Sequence, residues 1–230
     1  MSHDIEIIGD GCAALSLAAR ASELNHNIRL IKPSNAPTTN DHVWGFWSDP
    51  ILAAAQQLAR ATWQKWAIIT HNDCAVLSSE TRPYNAFKRS DWSEHCKGLA
   101  ELSKVTIIAE HEWEKSADSL LFDTRPPVVP NDCMLQHFQG IEVKTKQPCF
   151  NKDMAILMDF RVDQSKGMHF IYLLPYSTTE ALVESTLFST ELVDEEFYST
   201  SIESYLKEHC KVEEFSITHQ EKGVIPLGNL

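Results

Sequence analysis

Two hundred and thirty residues, 43% hydrophobic and 23% charged, suffice for one large domain or two small ones with a sizeable core. The formal net charge of −12 opposes binding to nucleic acid or adsorption to anionic lipid, both of which need clustered Lys and Arg. No stretch approaches the roughly 18–20 apolar residues of a membrane-spanning helix. The apolar residues begin at Ile5, leaving no room for a signal peptide, so the expected setting is cytoplasmic.

In chain order, Ile5, Ile7 and Ile8 form a short apolar strand that runs into Gly9-Asp10-Gly11. Residues 12–24, rich in Ala and Leu and free of Gly and Pro, predict a helix, and residues 27–32 a second strand. Residues 41–49 read as an aromatic loop and 51–66 as a helix. Residues 81–87 lead to Ser90, the expected N-cap of a helix ending near Leu102. Strands are expected over 104–110 and 119–123. The prolines after Arg125, with Pro130 close behind, suggest a domain boundary, giving residues 1–128 and 129–230.

Beyond that boundary the texture changes. Residues 154–162, 168–176 and 181–189 are strand-like runs separated by polar turns, as in an antiparallel meander. Residues 194–210 predict a helix with acids at its start, and a final strand and turn close the chain. The expected class is α/β (α+β overall): a Rossmann-like nucleotide domain with a parallel βαβ unit, plus a mostly antiparallel substrate sheet. The six cysteines form no C-x-x-C pair and read as reduced, mostly buried thiols. The ten histidines show no ligand spacing. His111 beside Glu112 reads as solvated, and no metal is expected.

In G-x-G-x-x-G/A, the first glycine makes the tight turn and the second lets the backbone approach a diphosphate. The third position allows close helix–strand packing. Gly9, Gly11 and Ala14 fill these places, within a strand–turn–helix–strand unit. The turn therefore suits the diphosphate of an adenine dinucleotide, FAD first, with Gly9, Asp10, Gly11, Cys12, Ala13 and Ala14 as the contacts. An acid at the end of the second strand normally accepts from the ribose hydroxyls. Here that place holds Lys32, a donor only. Lys32 either favours a 2′-phosphate, as in NADP, or lies outside the site.

GDGCAA, DHVWGFW, RPYNAFKRSDW, LLFDTR, ILMDFRVDQ with HFIYLLP, LVEST and KGVIPL occur in that order along nearly the whole chain. Together they resemble bacterial lycopene β-cyclase. The resemblance implies an FAD-binding α/β domain and a mostly antiparallel substrate domain. It also implies conversion of the ψ ends of lycopene to β-ionone rings, with FAD kept reduced by NAD(P)H although the reaction has no net redox change. The family's essential acid falls on Glu184, in Leu182-Val183-Glu184-Ser185-Thr186, with Ser185 where bacterial members usually have a second acid. Alternation alone leaves Glu184 facing solvent or core; the resemblance turns it inward. A carboxyl among apolar residues can hold a proton near neutral pH.

Trp44, Phe46 and Trp47 are candidates to line the polyene channel or are ordinary core. Asp10 and Lys32 depart from the family pattern, and the sequence stops at GVIPLGNL where the family continues, which reads as an N-terminal portion. The expected partners are lycopene or a related polyene and, through an apolar patch, the inner face of the membrane. The alternatives are an FAD-dependent oxidoreductase of monooxygenase or isoprenoid reductase type, and an inactive nucleotide-binding remnant.

Overall fold

The structure is a computed structural model that describes residues 4–24, 26–35, 41–126 and 133–227. The chain begins with β1 (Ile5–Ile8), α1 (Cys12–Ala18), α2 (Ala21–Leu24), β2 (Ile28–Lys32) and β3 (Val43–Trp47). It continues with α3 (Ala53–Gln57), β4 (Ala61–Trp63), β5 (Lys65–Ile69), β6 (Cys74–Ser78) and β7 (Tyr84–Lys88). Next come α4 (Arg89–Leu102), β8 (Thr106–Ala109), β9 (Leu120–Asp123) and β10 (Met134–Thr145). The remainder is β11 (Ala155–Asp159), β12 (Met168–Pro175), β13 (Glu180–Ser189), α5 (Glu195–His209) and β14 (Phe215–Leu227).

Two compact units divide these elements: Met1–Asp41 with Lys88–Val128, and His42–Phe87 with Val129–Leu230. Residues 42–87, assigned from sequence to the first domain, thus cluster with the second unit. The prolines behind that assignment lie partly in 127–132, outside the described residues.

The first unit is a parallel four-stranded sheet in the order β8-β2-β1-β9. The apolar triplet of β1 is buried throughout, as parallel strands require. Ala14, Leu15 and Ala18 of α1 pack with Ile5, Ile7 and Leu30, and with Cys96 and Ala100 of α4. Trp92 Nε1 donates to Ser16 Oγ at 3.0 Å, tying α4 to α1. The single helix expected over 12–24 breaks after Ala18 and resumes as α2. The predicted cap is also different: helix α4 starts at Arg89, and Ser90 lies inside its first turn, giving its N–H and hydroxyl to Asp41 at 2.8 and 2.7 Å.

The second unit has a seven-stranded sheet, β14-β10-β13-β12-β11-β5-β6, antiparallel except where β11 runs parallel to β5, and a small sheet β3-β7-β4. One face of the large sheet packs Ile141, Val143, Ile171 and Val183 against Ile202, Tyr205 and Leu206 of α5. Each such fully buried aliphatic side chain contributes about 1.5–3 kcal/mol. The other face packs Leu157, Leu174 and Leu182 against Trp63, Tyr84 and Ala86 of the small sheet.

Two expectations fail here. Residues 41–49 contain strand β3, because Val43-Trp44-Gly45-Phe46-Trp47 is rich in residues that suit a pleated sheet. Residues 51–66 are helical only as far as Gln57, through a 3-10 turn at Pro50–Leu52 and α3; Trp63 is pulled into the core, its Nε1 donating to Pro175 O at 3.1 Å. The cysteines are free, but only Cys96 is buried; Cys12 and Cys74 are exposed.

Candidate active site

The glycine turn leaves β1 with Gly9 at φ +140°, a conformation L side chains rarely adopt. A Cβ at Gly9 would collide with Thr124 Oγ1 and lie 3.2 Å from Ala14 Cβ, so strand, helix and Thr124 meet there with no room to spare. At Gly11 the opposite holds: an added Cβ meets nothing within 4 Å, leaving open backbone at the start of α1. Gly11 caps the helix without any side-chain bond. Cys12 and Ala13 are exposed, Asp10 half-buried and Ala14 buried. Lys32 ends β2, exposed, paired with Ala109 of β8. Just beyond that pair, Glu110 accepts from Ser34 N–H at 2.9 Å and from Arg125 at 3.0 Å. The sheet's carboxyl edge, where ligands of open α/β sheets bind, therefore carries an acid after all, just after β8 rather than at the end of β2.

Glu184 lines a cleft of the second unit. In β13, Leu182 and Glu184 face the small sheet, while Val183 and Ser185 face α5. The cleft has a volume of about 440 Å³, and its wall includes Trp44, Tyr84, Phe138, Tyr172, Leu182 and Glu184. That size lies within the roughly 300–1,000 Å³ of small-molecule sites. Glu184 Oε1 accepts from Thr186 Oγ1 at 2.7 Å. Burial pushes its carboxyl up to about 7, against the lowering effect of its hydrogen bonds to Thr186 and Glu221.

Glu221, only 2% exposed, is the residue that the sequence does not single out. Its Oε2 accepts from Val43 N–H at 2.8 Å, and burial, then the neighbouring charge of Glu184, push it up to about 8. Tyr84 and Tyr172 hydrogen-bond one another, and burial raises both phenols, so they remain neutral. A glycine at position 45 makes this possible, since a Cβ there would overlap the Tyr84 hydroxyl.

Of the three aromatic candidates, Trp44 lines the cleft. Phe46 packs on Phe87, with ring centroids 5.2 Å apart, and Trp47 packs on Trp66 and Tyr84 at 4.5 and 4.9 Å. Ser185 is on the other face, its Oγ 2.8 Å from His169 Nε2. Among the described residues no group of three or more His, Cys, Asp or Glu is placed to hold a metal ion.

A model of the family described as "Lycopene cyclase protein" matches residues 4–230. The chain belongs to the lycopene cyclase family. It is 24% identical to the lycopene beta-cyclase of Paracoccus sp. (strain N81106 / MBIC 01143) over 247 residues, covering 99% of this chain and 62% of that protein. The chain thus spans under two thirds of this curated relative.

Among solved structures, it is similar to a geranylgeranyl bacteriochlorophyll reductase-like protein from Thermoplasma acidophilum (TM-score 0.69, 10% identity, 98% of this chain and 66% of that one). It is also similar to a flavin-dependent halogenase from Xanthomonas campestris (TM-score 0.64, 8% identity, 98% and 62%). At such identities the likeness is one of fold: a lycopene cyclase family chain built on the α/β architecture of these proteins.

Proposed function

We propose that this chain is a lycopene β-cyclase, closing the ψ ends of lycopene into β-ionone rings as an isomerisation. The observation that carries this reading is Glu184, a carboxyl raised toward neutral pH on an aromatic cleft wall, within a chain of the lycopene cyclase family. Proton transfer from the Glu184 carboxyl to the terminal double bond breaks O–H, forms C–H and leaves a tertiary carbocation. The neighbouring double bond attacks, closing the ring, and a proton returns from the ring to a carboxylate. No electron is gained or lost. The faces of Trp44, Tyr84, Phe138 and Tyr172 are suited to steady the cation, each by about 0.5–2 kcal/mol.

The residues present fit a dinucleotide at the first unit: Gly11 is open backbone and Gly9 tolerates no side chain. Gly9, Asp10, Gly11, Cys12, Ala13 and Ala14 would hold the diphosphate of FAD, with Lys32 and Glu110 at the ribose edge. Reduced FAD, with NAD(P)H as the reductant, would supply an electron-rich ring able to steady positive charge. No helix of the described residues is long and apolar enough to cross a membrane. Attachment to a membrane holding the polyene is proposed through exposed apolar residues such as Val76 and Leu77 of β6. Binding to lipid vesicles should then survive high salt and yield to mild detergent; release by salt alone overturns it.

The decisive assay gives the protein lycopene, FAD and a reductant, and weighs the product. A product of unchanged mass with rings at its ends is expected. A product of altered mass would place the chain among the oxidoreductases instead.

A further inference from the structure

In the register of the large sheet, Glu221 of β14 sits opposite Gly140 of β10, and Gly140 sits opposite Glu184 of β13. Residues opposite one another on antiparallel strands share a face, so the two glutamates stand in one row with a residue that has no side chain between them. A Cβ on Gly140 would lie 3.1 Å from Glu221 Cγ and 3.4 Å from Glu184 Cβ. The gap left by Gly140 gives the two side chains room to approach each other over the strand. Two buried carboxylates in contact repel, and such sites retain a proton.

The surrounding groups oppose that need only in part: the His219 charge lowers Glu221, but less than burial and the Glu184 charge raise it. On β10, Glu142 is already engaged by Arg60 through a two-pronged ion pair. On β14 itself, His219 Nε2 is 3.6 Å from Glu221 Oε2, and Lys222 turns to Glu195 at 2.8 Å. From β3 comes the Val43 N–H, and from β7 and β12 the neutral phenols of Tyr84 and Tyr172. Tyr176, which also feels the Glu221 charge, is held neutral by burial.

We propose that Glu184 and Glu221 form a carboxyl dyad sharing a proton, with Glu221 the positioning residue that keeps Glu184 in its acid form. Glu221 acts through Glu184, which alone of the two lines the cleft. The dyad supplies the second acid that Ser185 does not, from a strand far away in sequence. When Glu184 gives its proton to the alkene, the pair is left with one proton fewer beside the new carbocation. The proton lost from the ring restores the starting state, so hydrogen and charge balance without a further reagent. The catalytic part of this inference rests on the cyclase reading above; the dyad itself does not.

Infrared titration of the protein, without substrate, tests it through the carbonyl band of neutral carboxyl groups. Wild type should keep such a band well above the ordinary carboxylate range. In both E184Q and E221Q the midpoint of its loss should fall by about one pH unit or more, since strongly interacting sites differ by at least that much. In G140A, where a methyl group wedges the pair apart, the midpoint should fall in the same direction. The alkaline limb of the cyclisation rate should move down with it in E221Q. Unchanged midpoints in E184Q and E221Q overturn the dyad, whatever the activity. Midpoints that shift in the two variants, while the wild type forms no rings, keep the dyad and overturn the cyclase reading and Glu221's part in it.

Discussion

Glu184 and Ser185 differ by one step along a strand, and that step puts them on opposite faces of a sheet. Glu184 meets a cleft of aromatic rings; Ser185 is buried under α5 with His169. The single-residue difference makes a sharp prediction. Glu184→Gln keeps the size and a hydrogen-bonding end but neither the acid nor the anion, so lycopene conversion at matched flavin loading should fall about 10²-fold or more. Glu184→Asp retains the acid but withdraws it by one methylene, and a misplacement of about 1 Å can also cost 10²-fold. Near-normal ring formation by the Gln variant would move the acid elsewhere. The direction of Glu184 was not legible from alternation, because Ala181, Leu182, Val183, Ser185, Thr186 and Leu187 are all buried. A strand covered on both faces has no polar side to read. The family motif supplied what the pattern lacks. Glu221 had no comparable signal: it matters only through a contact with a residue 37 positions away, across a glycine on a third strand. Gly140 itself was the available clue, since a glycine inside a strand often marks a close approach.

At the scale of elements, the strand–turn–helix–strand unit was readable because each part is local. Three isoleucines make β1, two glycines the turn, and Ala-rich sequence α1. The meander β11-β12-β13 was readable for the same reason, as short connections keep successive strands paired. What failed was sequence whose structure is decided by distant partners. The alanines of 53–55 do favour helix, yet the chain beyond Arg60 is taken into strands β4 and β5 by pairing with β7 and β11. Arg60 shows the same pull, its guanidinium lying 3.8 Å over the Tyr176 ring while it also grips Glu142. Strand β3 contributes Trp44, Gly45 and the Val43 N–H to the cleft, and a loop could not have held those three in fixed register. Helix propensity is worth tenths of a kcal/mol per residue, and burying one aromatic ring outweighs several such terms.

At the scale of the whole molecule, the buried pair makes folding itself sensitive to pH. Both carboxyls are raised from the ordinary value of 4.5, to about 7 and about 8, chiefly by burial. The folded state therefore binds more protons than the unfolded state between those limits. The stability the pair contributes is fully present below about 4.5 and is lost as pH rises through 7 and 8. Other groups act with the opposite sign. His137 and His169 are lowered by burial, so their contribution grows as pH rises toward the unfolded histidine value of 6.5. Asp159, held low by Arg161 and Tyr205 against its burial, contributes above 3.8 and loses that at lower pH. A double variant, E184Q/E221Q, separates these effects, because it removes the pair and leaves the histidines and Asp159 in place. Urea unfolding of both proteins at pH 5 and pH 8.5 gives the comparison. Between those two conditions the wild type should lose at least about 1.4 kcal/mol relative to the double variant, the worth of one pKa unit. Parallel pH profiles for the two proteins would mean that Glu184 and Glu221 titrate as solvated carboxylates, and the acid at the heart of the cleft would have to be sought in another group.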